Sequence, residues 1–144
     1  MDPSQFYTLK GYERVEDVQV TSAMEDYLEM ICRLGAAEKG PVRIRTLAQQ
    51  LHVKPSSASK MVSNLRGQGL VASEKYGEIR LTESGRSFGN YLLYRHDLLH
   101  RFLCFLNRSQ NELEQVEKIE HFVDEKTVRS IQVFLDGLSG PDGP

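Results

Sequence analysis

Apolar residues along this chain recur mostly every three or four positions, the period of an α-helix, and in one stretch they alternate, the period of a strand. Ala23, Tyr27, Met30, Ile31 and Leu34 keep helical spacing behind Ser22 and Glu25, an S-x-x-E capping box. This predicts a helix that opens near Ser22 and closes between Gly35 and Gly40. Leu47, Ala48 and Leu51 mark a short helix centred on residues 46–51, and His52 to Lys54 make a tight turn. Pro55 has no N–H to lose in a first turn, so it opens the next helix, which runs to about Gly67 with Ala58, Met61, Val62 and Leu65 inward. Residues 70–82 alternate around Tyr76-Gly77 and predict a β-hairpin with strands at about 70–74 and 78–82. Thr82 then caps a long helix to about Leu106, with Phe88, Leu92, Leu99, Phe102 and Leu103 among its apolar positions. Ser109 and Glu112 form a second capping box, opening a helix through about His121. Asp124 caps a last helix that buries Val128, Ile131, Phe134 and Leu135.

Two short helices across a tight turn form a helix-turn-helix, and a hairpin directly after one is a wing. The expected fold class is therefore mainly α. A winged helix-turn-helix domain of three helices and a two-stranded wing occupies residues 21–82, and a helical domain occupies residues 83–138. Residues 1–20, polar and weakly periodic, are expected to form an arm. The Gly/Pro-rich residues 139–144 are expected to form a tail.

Composition narrows the class. The 144 residues are 40% apolar and 26% charged, as in globular domains. No apolar run reaches the roughly 18–20 residues of a membrane span. The first residues lack a signal peptide's basic and apolar regions, so a cytoplasmic location is expected. Cys32 and Cys104 lie in apolar helical patterns without metal-binding spacing and read as buried, reduced thiols.

The net charge of −2 alone argues against a nucleic-acid partner, but its distribution reverses that reading. Residues 1–40 carry net −4, residues 41–90 net +5 and residues 91–144 net −3. A basic centre between acidic flanks suits one segment facing phosphate and two flanks that use carboxylates. In a helix-turn-helix, the start of the second helix enters the major groove. Here it offers Ser56, Ser57, Ser59 and Lys60, with Lys54 before it and Asn64 further along. The wing tip adds Lys75 and Tyr76, and Arg43, Arg45 and Arg80 can contact the DNA backbone. Stable specific binding calls for two half-sites, hence a homodimer on palindromic double-stranded operator DNA.

In the acidic flanks, Asp26 and Glu29 are three apart and share a helical face. Glu117, Glu120 and His121 spell E-x-x-E-H, whose offsets place all three on one helical stripe, and His96 lies midway along the long helix. Carboxylates on one face repel unless a cation neutralises them. Four carboxylates and two imidazoles, with no thiolate or thioether, make a hard donor set suited to Mn²⁺ and workable for Fe²⁺, Co²⁺, Zn²⁺ or Cd²⁺. The bland alternative is a metal-independent winged-helix regulator with a solvated acidic face. The enzymatic alternative is a small two-metal hydrolase, which would leave the helix-turn-helix unexplained and for which no substrate-capturing loop is evident.

Five stretches at ordered spacing carry a family resemblance: residues 21–29, 53–62, 74–82, 94–99 and 116–121. Across about residues 21–136 the chain resembles the metal-dependent repressors typified by diphtheria toxin repressor, in particular their short manganese branch. The resemblance implies a non-enzymatic homodimer with winged-helix reading heads, a helical dimerisation domain and two Mn²⁺ per subunit. It implies the ligands Asp26, Glu29, His96, Glu117, Glu120 and His121, and a role in repressing metal-uptake genes. Three departures stand out, one being that residues 1–20 have no counterpart in short family members. His100 occupies a position where the family usually has Glu, as an extra ligand, a supporting group or a plain surface residue. Phe122 stands where close relatives often have another His.

Overall fold

The computed structural model describes residues 20–73 and 77–138. The expected arm, apart from Val20, the wing-tip residues Lys75 and Tyr76, and the tail lie outside the described residues. The element order is α1 (Ser22–Glu38), β1 (Val42–Arg43), α2 (Ile44–Leu51), α3 (Pro55–Gly67), β2 (Val71–Ser73), β3 (Glu78–Leu81), α4 (Glu83–Asn107), α5 (Leu113–Ile119), a 3₁₀ turn (Glu120–Phe122) and α6 (Glu125–Leu138). The chain forms two compact units that divide between Leu92 and Leu93, within α4.

In the first unit α1 starts one residue away from expectation. Thr21, not Ser22, is the N-cap: its Oγ1 accepts a hydrogen bond from the Met24 N–H at 3.2 Å, and its carbonyl accepts from the Glu25 N–H at 3.0 Å. Ser22 is thus the first helical residue. Lys39 closes α1 in the left-handed conformation (φ 55°), and His52 does the same for α2 (φ 56°), its N–H donating to Ala48 and Gln49 carbonyls. That turn and Pro55 at the start of α3 are as read from the sequence.

The hairpin strands pair antiparallel, Val71 with Leu81 and Ser73 with Ile79; residues 70 and 82 fall outside them, and the expected end at residue 74 lies outside the described residues. A third strand was not foreseen: β1 pairs with β3, Val42 opposite Ile79 and Arg43 opposite Glu78, so the sheet order is β1-β3-β2. Leu28, Leu47, Ala58, Leu65, Val62 and Ile79 are almost fully buried in one core. Thr82 fixes the entry to α4, accepting from the Gly85 N–H at 3.0 Å and donating to the Gly69 carbonyl at 2.6 Å. Two glycines let α4 approach closely. A Cβ at Gly85 would stand 1.8 Å from the Leu70 carbonyl oxygen, and one at Gly89 would stand 2.0 Å from Cys32 Sγ.

In the second unit Leu98, Leu99, Leu103, Val116, Val128, Ile131 and Leu135 are buried. The expected capping box at Ser109 is a different device. Ser109 Oγ donates to Glu112 Oε1 at 2.8 Å, while α5 begins only at Leu113, whose N–H donates to Asn111 Oδ1 at 2.9 Å. Asp124 caps α6 as expected, accepting from the Thr127 N–H at 2.8 Å. Phe134 is not buried but 46% exposed, because it lies at the edge of the arc defined by Val128, Ile131 and Leu135. It makes edge contacts with Phe102 and Phe105, ring centroids 5.9 Å apart in each pair. The Tyr94 hydroxyl, donating to Gln132 Oε1 at 2.7 Å, also ties α4 to α6.

Candidate metal centre and nucleic-acid interface

The nucleic-acid candidates come first because the fold of the first unit sets them directly. α3 buries Ala58, Val62 and Leu65 on one stripe. Its remaining faces therefore point to solvent, and Ser56, Ser57, Ser59, Lys60 and Asn64 are all exposed. Lys54, Arg43, Arg45 and Arg80 are exposed as well. Arg43 lies 3.8 Å from Glu78 across the β1–β3 pair. An exposed pair at this distance contributes little to stability and leaves the guanidinium available. Arg66 was the residue whose role the sequence concealed. Its guanidinium donates to Ser73 Oγ at 2.8 Å and to Ser63 Oγ at 3.3 Å, bracing the end of α3 against the hairpin. In the sequence it reads only as one more surface cation, since its partner lies seven residues away across a turn.

Metal candidates occur in both units. In the first, Asp26 and Glu29 share the polar side of α1, Asp26 exposed and Glu29 buried. Glu29 Oε1 accepts from Arg33 Nη2 at 3.1 Å, an i,i+4 ion pair.

In the second unit, the E-x-x-E-H segment departs from the single stripe expected. α5 ends at Ile119, and Glu120 and His121 belong to the 3₁₀ turn that follows. Tightening the helix rotates them relative to Glu117. Glu120 is 3% exposed, whereas Glu117 faces solvent. His96 Nδ1 lies 2.7 Å from Glu120 Oε2, and His121 Nε2 lies 3.8 Å from Glu120 Oε1. A buried carboxylate between two largely buried imidazoles is expensive to desolvate unless it is paired or bound to a cation. These oxygen and nitrogen donors fit a borderline-hard divalent metal. His100, by contrast, lies beside Cys104, its Nε2 3.4 Å from Sγ. Cys104 is a free thiol as expected, but half-buried rather than buried. Cys32 does match that reading: it is buried, and burial pushes its thiol pKa up to about 11.

Residues 19–79 match the family model described as iron dependent repressor, N-terminal DNA binding domain. Residues 82–139 match iron dependent repressor, metal binding and dimerisation domain. The chain belongs to the iron-dependent repressor family. As a member it combines a DNA-binding domain with a metal-binding and dimerisation domain, and it is a transcriptional regulator, not a hydrolase. The chain is similar to the HTH-type transcriptional regulator MntR of Geobacillus kaustophilus (strain HTA426), 43% identical over 102 residues, 70% of this chain and 72% of the relative. It is also similar to the MntR of Bacillus velezensis (strain DSM 23117 / BGSC 10A6 / LMG 26770 / FZB42), 38% identical over 83% of this chain and 87% of the relative. Among solved structures, the manganese regulator SloR has a TM-score of 0.68 at 26% identity, covering 78% of this chain and 53% of its own. A manganese-dependent transcriptional repressor in complex with manganese gives 0.68 at 28%, covering 84% and 60%. The chain therefore spans a little over half the length of those two solved proteins. Among the described residues no helix is long and apolar enough to cross a membrane.

Proposed function

We propose that this family member is a cytoplasmic, Mn²⁺-dependent repressor that binds palindromic operator DNA as a homodimer and controls metal-uptake genes. We assign the reading head to residues 21–82 and the dimerisation and metal-binding domain to residues 83–138. The single observation that carries the metal reading is the buried Glu120 carboxylate held between His96 and His121. The hard donor set favours manganese, and two relatives' names carry the same metal. We assign two ions per subunit to Asp26, Glu29, His96, Glu117, Glu120 and His121. Fe²⁺, Co²⁺, Zn²⁺ and Cd²⁺ are workable substitutes in vitro, and the names of two solved relatives, both ScaR, record Zn²⁺ and Cd²⁺.

Bound Mn²⁺ supplies positive charge that neutralises these carboxylates. The chain's own residues do the rest. Glu120 orients both imidazoles, and Asp26 and Glu29 make the position of α1 sensitive to metal. Ser56, Ser57, Ser59, Lys60 and Asn64 on α3 meet bases and phosphates in the major groove. Lys54, Arg43, Arg45 and Arg80, with Lys75 and Tyr76 of the wing, hold the backbone. Restricting α1 and the reading heads removes an ordering cost from DNA binding.

Calorimetric titration with Mn²⁺ tests the reading. Two ions per subunit are expected, with Glu120→Ala and His121→Ala each losing Mn²⁺ binding. Unchanged binding in both variants contradicts it.

A further inference from the structure

The oxygen-rich set leaves one pair of metal-ligating side chains unused. His100 and Cys104 stand one helical turn apart on α4, in the second unit, with Nε2 and Sγ 3.4 Å from each other. Both residues are half-buried rather than enclosed in the core. A tetrahedral ion with bonds of about 2.3 Å to sulfur and about 2.0 Å to nitrogen holds those atoms about 3.5 Å apart. The observed separation of 3.4 Å matches that bite. The helix fixes both Cα positions, so little ordering is lost on binding.

We propose that His100 and Cys104 form an additional metal site, separate from the two-ion set, for a thiophilic divalent cation such as Zn²⁺ or Cd²⁺, with water in the remaining positions. Its chemistry is opposite to that of the Glu120 cluster: a thiolate selects soft metals, carboxylates select hard ones. On binding, the Cys104 thiol releases its proton to solvent and the sulfur lone pair forms the metal bond, with no change of oxidation state. His100 binds as the neutral imidazole through Nε2. Cys32, buried and held protonated with its pKa at about 11, is not a competing ligand.

The test is a Cd²⁺ titration of the purified full chain, followed by the ultraviolet thiolate-to-metal charge-transfer band and by cadmium NMR. The band is expected in the wild type and in Cys32→Ser, and absent in Cys104→Ser and Cys104→Ala. His100→Gln is expected to weaken the Cd²⁺ binding that this band reports at least about tenfold. Circular dichroism verifies that each variant is folded, and cadmium NMR of the wild type independently reports sulfur and nitrogen ligation. Cys104→Ser is expected to bind Mn²⁺ with wild-type affinity, which separates this site from the one proposed above. No band in the wild type, a band that survives in a Cys104 variant, a band that depends on Cys32, or unaltered Cd²⁺ affinity in His100→Gln overturns the proposal.

Discussion

The two units solve opposite problems. Apart from the buried Glu29, residues 20–92 place apolar side chains inside and charges outside: Leu28, Leu47 and Leu65 are fully enclosed, and Lys54, Lys60, Arg43 and Arg80 are exposed. Residues 93–138 invert part of that rule. Arg95, Glu120 and Glu125 are buried, while Phe105, Leu106, Phe122, Val133 and Phe134 are exposed, Phe122 by 81%. Enclosed carboxylates call for a cation, and large apolar side chains left in solvent suit a protein partner. The first unit is built to stand on its own core and offer a charged surface. The second is built to be completed by what it binds.

The contrast can be broken at several points. Leu65→Ala should cost the first unit about 2–5 kcal/mol, read as a lowered denaturant midpoint, because it leaves a cavity among enclosed side chains. Val133→Glu should do the reverse. Monomer stability stays within about 0.5 kcal/mol, since the residue is a surface one in the monomer. Self-association, followed by sedimentation equilibrium, weakens at least about tenfold. Unchanged association would mean that the exposed face of α6 is not the dimer surface. Lys60→Ala should weaken operator and non-operator DNA alike and reduce the slope of log affinity against log salt by about 1.

The smallest effect concerns pH. The Thr127 N–H holds the Asp124 carboxyl below its ordinary value of 3.8. A lowered pKa stabilises the folded state above the ordinary value, and this contribution is lost as pH falls through the lowered one. Asp124→Ala should therefore lower the melting temperature at neutral pH and converge with the wild type in strong acid.

Most of the fold was legible because its helices carry complete signals: a proline at the start of α3, a left-handed turn at His52, and Thr82 and Asp124 as caps. What escaped notice depended on tertiary structure. β1 is two residues long, too short to alternate, and exists only because β3 offers it an edge. The S-x-x-E pattern pointed to Ser22 as the cap, but the neighbouring hydroxyl of Thr21 takes that place. Phe134 keeps helical spacing with Val128 and Ile131 but falls at the margin of the buried arc. The residues proposed to hold metal stand out in the sequence by type and spacing, but their geometry does not. The E-x-x-E-H pattern fits a continuous α-helix, whereas the 3₁₀ turn buries Glu120 and leaves Glu117 outside. The i,i+4 spacing of His100 and Cys104 is plain in the sequence, but the 3.4 Å approach of their side chains depends on their rotamers.

The most direct test of the central claim is the affinity of the purified protein for a palindromic operator fragment, measured at fixed salt with and without Mn²⁺. Binding about 5–150-fold tighter with the metal, and no such gain in Glu120→Ala, is the predicted result. Equal affinity under both conditions would contradict the account.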